Sequence, residues 1–166
     1  MPDPVNVRVA TLQDTDDIAA IYTESILARD STMDTEPTSS EAIVELLAGL
    51  GTREVIYVVD LDDRVLGWGI VKKYSDRPGY SVACETSVYL YRNRIRRGLG
   101  KLVQMQLHEF ARSVGYHHIV TKIWAGNDSS IAFHEACGFT IVGIQKEIGS
   151  IDGRWKDIAI MQCILE

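Results

Sequence analysis

Hydrophobic and polar residues alternate at the start of the chain, across Val5-Asn6-Val7-Arg8-Val9-Ala10, and a period of two predicts a strand. The period then lengthens. From about Asp14, the residues Ile18, Ile21, Tyr22 and Ile26 recur at helical spacing and share one face. Residues 31–37 read as a loop. Thr38 and Glu41 have capping-box spacing and open a second helix that ends near Gly49 or Gly51. Residues 54–59 and 64–72 read as two strands of a hairpin, joined through Asp60-Leu61-Asp62-Asp63. Arg77-Pro78-Gly79 marks another turn, and a strand follows over 80–91.

The second half has a different rhythm. Gly98 and Gly100 lead into a helix reaching Val114, with Leu102, Met105, Phe110 and Val114 as its apolar positions. A strand over 119–124, a short helix over 129–137 and strands over 140–146 and 155–165 complete the chain. Antiparallel strands followed by strand–helix–strand–helix–strand predict a mixed α/β sheet with helices on both faces.

Composition narrows the possibilities. With 166 residues, the chain suits one domain over 1–166 with a sizeable core. No stretch approaches the ~20 apolar residues of a membrane span. The start Met1-Pro2-Asp3-Pro4-Val5 has neither a basic nor an apolar leader, so nothing in it suggests export. Cys84, Cys137 and Cys163 form neither a disulfide framework nor a CxxC pair, which predicts a reducing cytoplasm. A net charge of −6 argues against nucleic acid as partner. Yet Arg92, Arg94, Arg96, Arg97 and Lys101 crowd together, which suggests either a small anionic ligand or a solvated basic loop.

Arg96-Arg97-Gly98-Leu99-Gly100-Lys101 falls between a predicted strand and a predicted helix. Glycines there let main-chain N–H groups approach a ligand, and the helix N-terminus adds unpaired donors and partial positive charge suited to a diphosphate. A Walker loop is excluded because Ile95 and Leu102 occupy positions that need Gly and Ser or Thr; a dinucleotide fingerprint is excluded by Val103. The stretch His108-Glu109-Phe110-Ala111-Arg112 lacks the second histidine of HExxH. His117-His118 has no companion ligands, so no metal is expected. There is no G-x-S-x-G elbow.

Gly98-Leu99-Gly100, following Ser87-Val88-Tyr89-Leu90, resembles the acetyl-CoA motif of the GNAT acyltransferase superfamily, with Ile95 where that motif has Gln or Arg. Three further stretches resemble its phosphinothricin acetyltransferase branch: Asn127-Asp128-Ser129-Ser130 with Phe133 to Phe139, Gly153-Arg154-Trp155-Lys156-Asp157, and Ser31 to Pro37. The resemblance implies a mostly antiparallel mixed sheet of about seven strands with about four helices. It implies acetyl-CoA as co-substrate, a small amino-acid-like amine as acceptor, and a homodimer with the C-terminal strands near its interface.

It also implies roles. Val88, Tyr89 and Leu90 would pair with the pantetheine amides, one N–H there serving as an oxyanion donor, a contact that contributes ~3 kcal/mol. Arg96, Arg97, Gly98, Leu99, Gly100 and Lys101 would hold the diphosphate, and Asn127 would reach the cofactor, cap its helix, or do both. Glu85 would be the general base, its pKa raised by burial; the alternative is a carboxylate on the solvent face of its strand. His134 would protonate the leaving thiolate, or simply pack on its helix. Arg77 would pair with a substrate carboxylate and Tyr80 would line the pocket, with Met33 and Glu36 from the first loop; each is equally at home on the surface. Peptide or protein acetylation, and a non-catalytic acyl-CoA-binding module, are the competing functions.

Overall fold

A computed structural model describes residues 4–94 and 97–166, so Ile95 and Arg96 of the glycine-loop reading lie outside the described residues. The strands are β1 (Asn6–Val9), β2 (Val55–Leu61), β3 (Arg64–Lys73), β4 (Ala83–Leu90), β5 (His118–Trp124), β6 (Thr140–Ile151) and β7 (Arg154–Ile164). They join in one sheet, ordered β1-β2-β3-β4-β5-β7-β6. Only β4 and β5 are parallel; every other neighbouring pair is antiparallel. The helices are α1 (Thr15–Ala28), α2 (Ser40–Ala48), α3 (Leu99–Ser113) and α4 (Asp128–Ala136). This is the α/β architecture the order of elements predicts.

The two faces of the sheet carry separate cores. Ile18 and Ile21 of α1 and Ile43 of α2 pack on Ile56, Val58, Trp68 and Ile70 of β2 and β3. On the opposite face Leu99, Val103, Leu107 and Ala111 of α3 pack on Val59, Val71, Cys84, Ile119 and Met161. Their spacing of four makes one stripe on the helix. Leu102 and Met105, expected inside, are 47% and 38% exposed. The inner face instead takes Gln104 and His108, so the polar residues of this helix are not all on its outside. The three cysteines are buried free thiols.

Two further boundaries differ from expectation. The α2 cap is Ser39 rather than Thr38, its hydroxyl accepting from the Ala42 N–H at 3.1 Å. The β6 strand continues past Lys146 to Ile151 because a bulge, not a turn, interrupts it there: the register breaks between Gln145 and Gly149, and Glu147 has φ 54°. The Asp157 carboxylate fills the bulge. It accepts from the Glu147 N–H at 2.7 Å and the Lys146 ammonium at 3.1 Å, contacts that hold its carboxyl below the usual range. At the other end of the sheet, the Arg8 guanidinium grips Asp14 at 2.8 and 2.9 Å and Asp60 at 2.7 Å, fastening the start of α1 to β1 and β2.

Candidate active site

The single parallel pair is also an incomplete one. β4 and β5 are joined at Ala83, Cys84 and Glu85, whose partners are His118, Ile119 and Val120, and then diverge. The phase of the β3–β4 ladder shows which groups the divergence frees. Tyr74 donates to the Ala83 carbonyl and Tyr91 to the Leu66 carbonyl, so odd-numbered β4 residues pair with β3 and even-numbered ones face β5. The main-chain groups of Val88 and Leu90 therefore face into the fork, whereas those of Tyr89, carried over with them from the sequence, belong to β3. At the fork's root, Thr121 Oγ1 donates to the Thr86 carbonyl at 3.0 Å, both residues being buried. A side chain thus bridges the strands where a main-chain bond would have zipped them. Gln104 of α3 donates to Thr86 Oγ1 at 3.4 Å, tying the helix to the same point.

The fork opens toward the N-terminus of α3. Gly98 caps this helix at φ 78°, a left-handed geometry that L-residues with a Cβ adopt at a cost. The first bond into the helix runs from the Leu102 N–H to the Gly98 carbonyl, so the N–H groups of Leu99, Gly100 and Lys101 have no partner within it. A Cβ at Gly100 would press on the Phe133 ring of α4, so glycine lets the two helices close together. Arg97 and Lys101 are exposed beside these donors. Amides without a partner in their own helix, a helix N-terminus and flanking cations fit a diphosphate, and the fork fits an extended chain of amides.

Glu85 is the last β4 residue paired before the fork. It is half-buried: its side chain is 32% exposed, and the Lys122 ammonium lies 3.7 Å from Oε2. His134 is the opposite case. It is buried, and its Nδ1 lies 2.7 Å from the Ser130 carbonyl, which can only accept, so Nδ1 carries the proton and the buried Nε2 is a bare lone pair without a partner. Burial pushes the imidazole below its ordinary pKa, favouring this neutral form. In it, Nε2 has no proton to give a thiolate.

The loop between α1 and α2 closes over the fork. Asn127 does two things: its Oδ1 caps α4 by accepting from the Ser130 N–H at 3.1 Å, and its Nδ2 donates to the Asp30 carbonyl at 3.1 Å. Arg92 pairs with the Asp30 carboxylate and Arg29 with Asp152 of the β6–β7 turn. Met33 reaches the same hairpin, filling the space a Cβ would take at Gly149. Tyr22 donates to Asp34 and exchanges a 3.0 Å bond with Thr32, beneath which Tyr89 and Trp68 pack edge-on and tilted. Glu36 is exposed on the loop. Arg77 and Tyr80 are not part of this assembly. They precede β4 at the end away from the fork, lining a separate recess of about 280 Å³ with Arg53, Lys73 and Tyr116.

Residues 7–160 match the acetyltransferase (GNAT) domain family. The chain belongs to that family. As a GNAT N-acetyltransferase it is 29% identical over 166 residues to the L-methionine sulfoximine/L-methionine sulfone acetyltransferase of Pseudomonas aeruginosa, covering 97% of this chain and 95% of the relative. A GNAT phosphinothricin acetyltransferase from Sinorhizobium meliloti, solved in complex with acetyl-CoA, superposes with a TM-score of 0.91 at 29% identity, over 97% of this chain and 88% of that one. The ribosomal-protein-alanine N-acetyltransferase of Brucella melitensis superposes with 0.92 at 28% identity, over 96% and 99%. Among the described residues no helix is long and apolar enough to cross a membrane, and no group of three His, Cys, Asp or Glu is placed to hold a metal.

Thr121 and Lys122 escaped the sequence reading. Both sit in an ordinary strand pattern, and only the parting of β4 from β5 sets them apart.

Proposed function

We propose that this GNAT enzyme acetylates the amino group of a small amino-acid-like substrate, of the phosphinothricin, methionine sulfoximine or methionine sulfone type, by direct transfer from acetyl-CoA. The observation that carries this is the fork: main-chain groups of Val88 and Leu90, turned away from β3, run from a carboxylate at its root, Glu85, to the helix-terminal amides after Gly98. Similarity to acetyltransferases acting on methionine sulfoximine and phosphinothricin supports the acceptor class.

Bound acetyl-CoA supplies an acyl carbon activated as a thioester. Leu99, Gly100, Lys101 and Arg97 hold its diphosphate, with Arg96 as a further candidate. Val88 and Leu90 align its amides, and the Val88 N–H is placed to receive negative charge on the acyl oxygen. Glu85 takes a proton from the acceptor ammonium, directly or through water, so that nitrogen attacks as the free amine. The N–C bond forms, the nitrogen releases its second proton to water, the C–S bond breaks and the thiolate leaves with its pair of electrons. Water, rather than neutral His134, then protonates the sulfur. Asn127 and Met33 keep the α1–α2 loop closed over the acceptor, Glu36 lying farther out. Arg77 and Tyr80, at the far end of β4, are left out of the acceptor site in this reading.

Free buried thiols support a reducing, cytoplasmic setting. Exposed apolar residues on β6 support the homodimer.

Thiol release from acetyl-CoA across phosphinothricin, methionine sulfoximine, methionine sulfone, proteinogenic amino acids, polyamines and short peptides tests the reading. Amino-acid analogues are expected to respond, and Glu85→Gln to lower kcat by about 10²–10⁴-fold while leaving acetyl-CoA affinity in place. Undiminished turnover in Glu85→Gln removes the base. Likeness to the ribosomal-protein-alanine enzyme favours a second reading, acetylation of a protein N-terminus, and release with peptides alone would establish it instead.

A further inference from the structure

Resting on the acceptor reading above, we infer that Lys122 is the specificity-determining residue that holds the acceptor's carboxylate, so that the Glu85–Lys122 pair recognises an α-amino acid by its own zwitterion. Glu85 stands at the root of one prong of the fork and Lys122 on the other, just beyond Thr121. The register puts them on one face of the sheet: Glu85 is level with Val120 on β5, and Lys122 is two residues along the same side. This is the face on which α1 and α2 cover β2, β3 and Tyr89 of β4, leaving the pair beyond them open. Side-chain exposures of 32% and 51% leave both charges within reach of a solute.

At 3.7 Å the pair is loose and solvated, and such pairs contribute little to stability, so exchanging partners is cheap. An α-amino acid carries its ammonium and its nearer carboxylate oxygen about 3 Å apart, set by the bonds on either side of Cα. Laid against Glu85 and Lys122 in the opposite sense, it replaces one ion pair by two. The nitrogen is thereby delivered to the base, and the carboxylate is held off the thioester.

Other cations are less suited. Lys72 is level with Glu85 on β3, flanking it on the side away from the fork. Lys156 has its ammonium over the Trp124 ring, 4.8 Å from the centroid, farther along the prong. Arg77 precedes β4 at its distant end. An acceptor lacking the carboxylate leaves Lys122 beside its own ammonium with no compensating charge, so polyamines, amino-acid amides and peptide N-termini are disfavoured.

The test compares methionine sulfone with methionine sulfone carboxamide, measuring kcat/KM for wild type, Lys122→Met, Lys122→Arg and Lys72→Met. Wild type is expected to prefer the free acid. Lys122→Met should lower kcat/KM for the acid about 10- to 100-fold, chiefly through KM, while kcat/KM for the amide rises and the KM for acetyl-CoA stays nearly unchanged. Lys122→Arg should recover part of the loss and Lys72→Met should resemble wild type. Equal use of acid and amide by wild type, or a preference that survives in Lys122→Met, overturns the assignment while leaving acetyl transfer intact. Parallel losses on acid and amide also overturn it, because they mark Lys122 as a support for Glu85 alone. Absence of thiol release with every amine overturns the acetyltransfer reading itself and this assignment with it.

Discussion

Buried histidines give this protein an acid-sensitive core at the scale of single residues. His108 and His134 each direct Nδ1 to the carbonyl one turn earlier, at 2.8 and 2.7 Å, and each leaves Nε2 buried without a partner. Both rings stand edge-on to Phe139, with centroids 5.5 and 5.3 Å away. Burial lowers both pKa values, so the folded chain keeps these rings neutral where the unfolded chain takes up protons. Stability therefore falls as pH drops below the ordinary histidine value of about 6.5, by about 1.4 kcal/mol per pH unit for each ring until the folded values are reached. Urea unfolding midpoints should decline between pH 7.5 and 5.5, and His108→Gln should flatten the decline. A midpoint unchanged over that interval in wild type would show that the rings are not held neutral. Their chemistry was only half visible in the sequence. His134 stood out through its motif, but its tautomer depends on Ser130, and nothing marked His108 as an inward residue. Glu85 was singled out as a candidate base beside the cofactor strand, but its place at the strand junction and its lysine neighbour depend on β5, far along the chain.

Elements were more legible than contacts. The period-two strands, the glycine loop and the order of helices all follow from local pattern, because each is a property of neighbouring residues. The inward face of α3 was misjudged because counting apolar residues favours Leu102 and Met105, while the stripe that packs on the sheet is Leu99, Val103, Leu107 and Ala111, with Gln104 held inside by Thr86. The bulge in β6 escaped because its cause, Asp157, is on the partner strand. Gly98 is the element-scale test of the cradle. At φ 78°, with no described residue within 4 Å of where a Cβ would stand, its substitution acts through backbone conformation. Gly98→Ala should cost about 1–2 kcal/mol of stability and weaken acetyl-CoA binding tenfold or more. Calorimetric titration checks the second figure. Binding as tight as wild type would mean that the α3 amides do not hold the diphosphate.

At the scale of the whole molecule, the sheet ends in an unusual edge. Ile141, Val142, Ile144 and Ile148 of β6 are exposed, as are Trp155 and Ile164 of β7. Exposed apolar residues along a free edge invite a second copy. Sedimentation at micromolar concentration should report a dimer, and Val142→Lys a monomer; a monomeric wild type would refute the association. The other feature of this scale is the brevity of the β4–β5 junction. Among the described residues, three residue pairs, the Val82 carbonyl just before them, one threonine hydroxyl and the loose Glu85–Lys122 pair stitch the first four strands to the last three within the sheet. Within the sheet the two halves thus meet along a narrow spine, with α3 packed across both beneath it, and a guest lying along the spine would touch both. Any rocking of one half against the other widens or narrows the same slot, so grip on the guest and rigidity of the protein rise together.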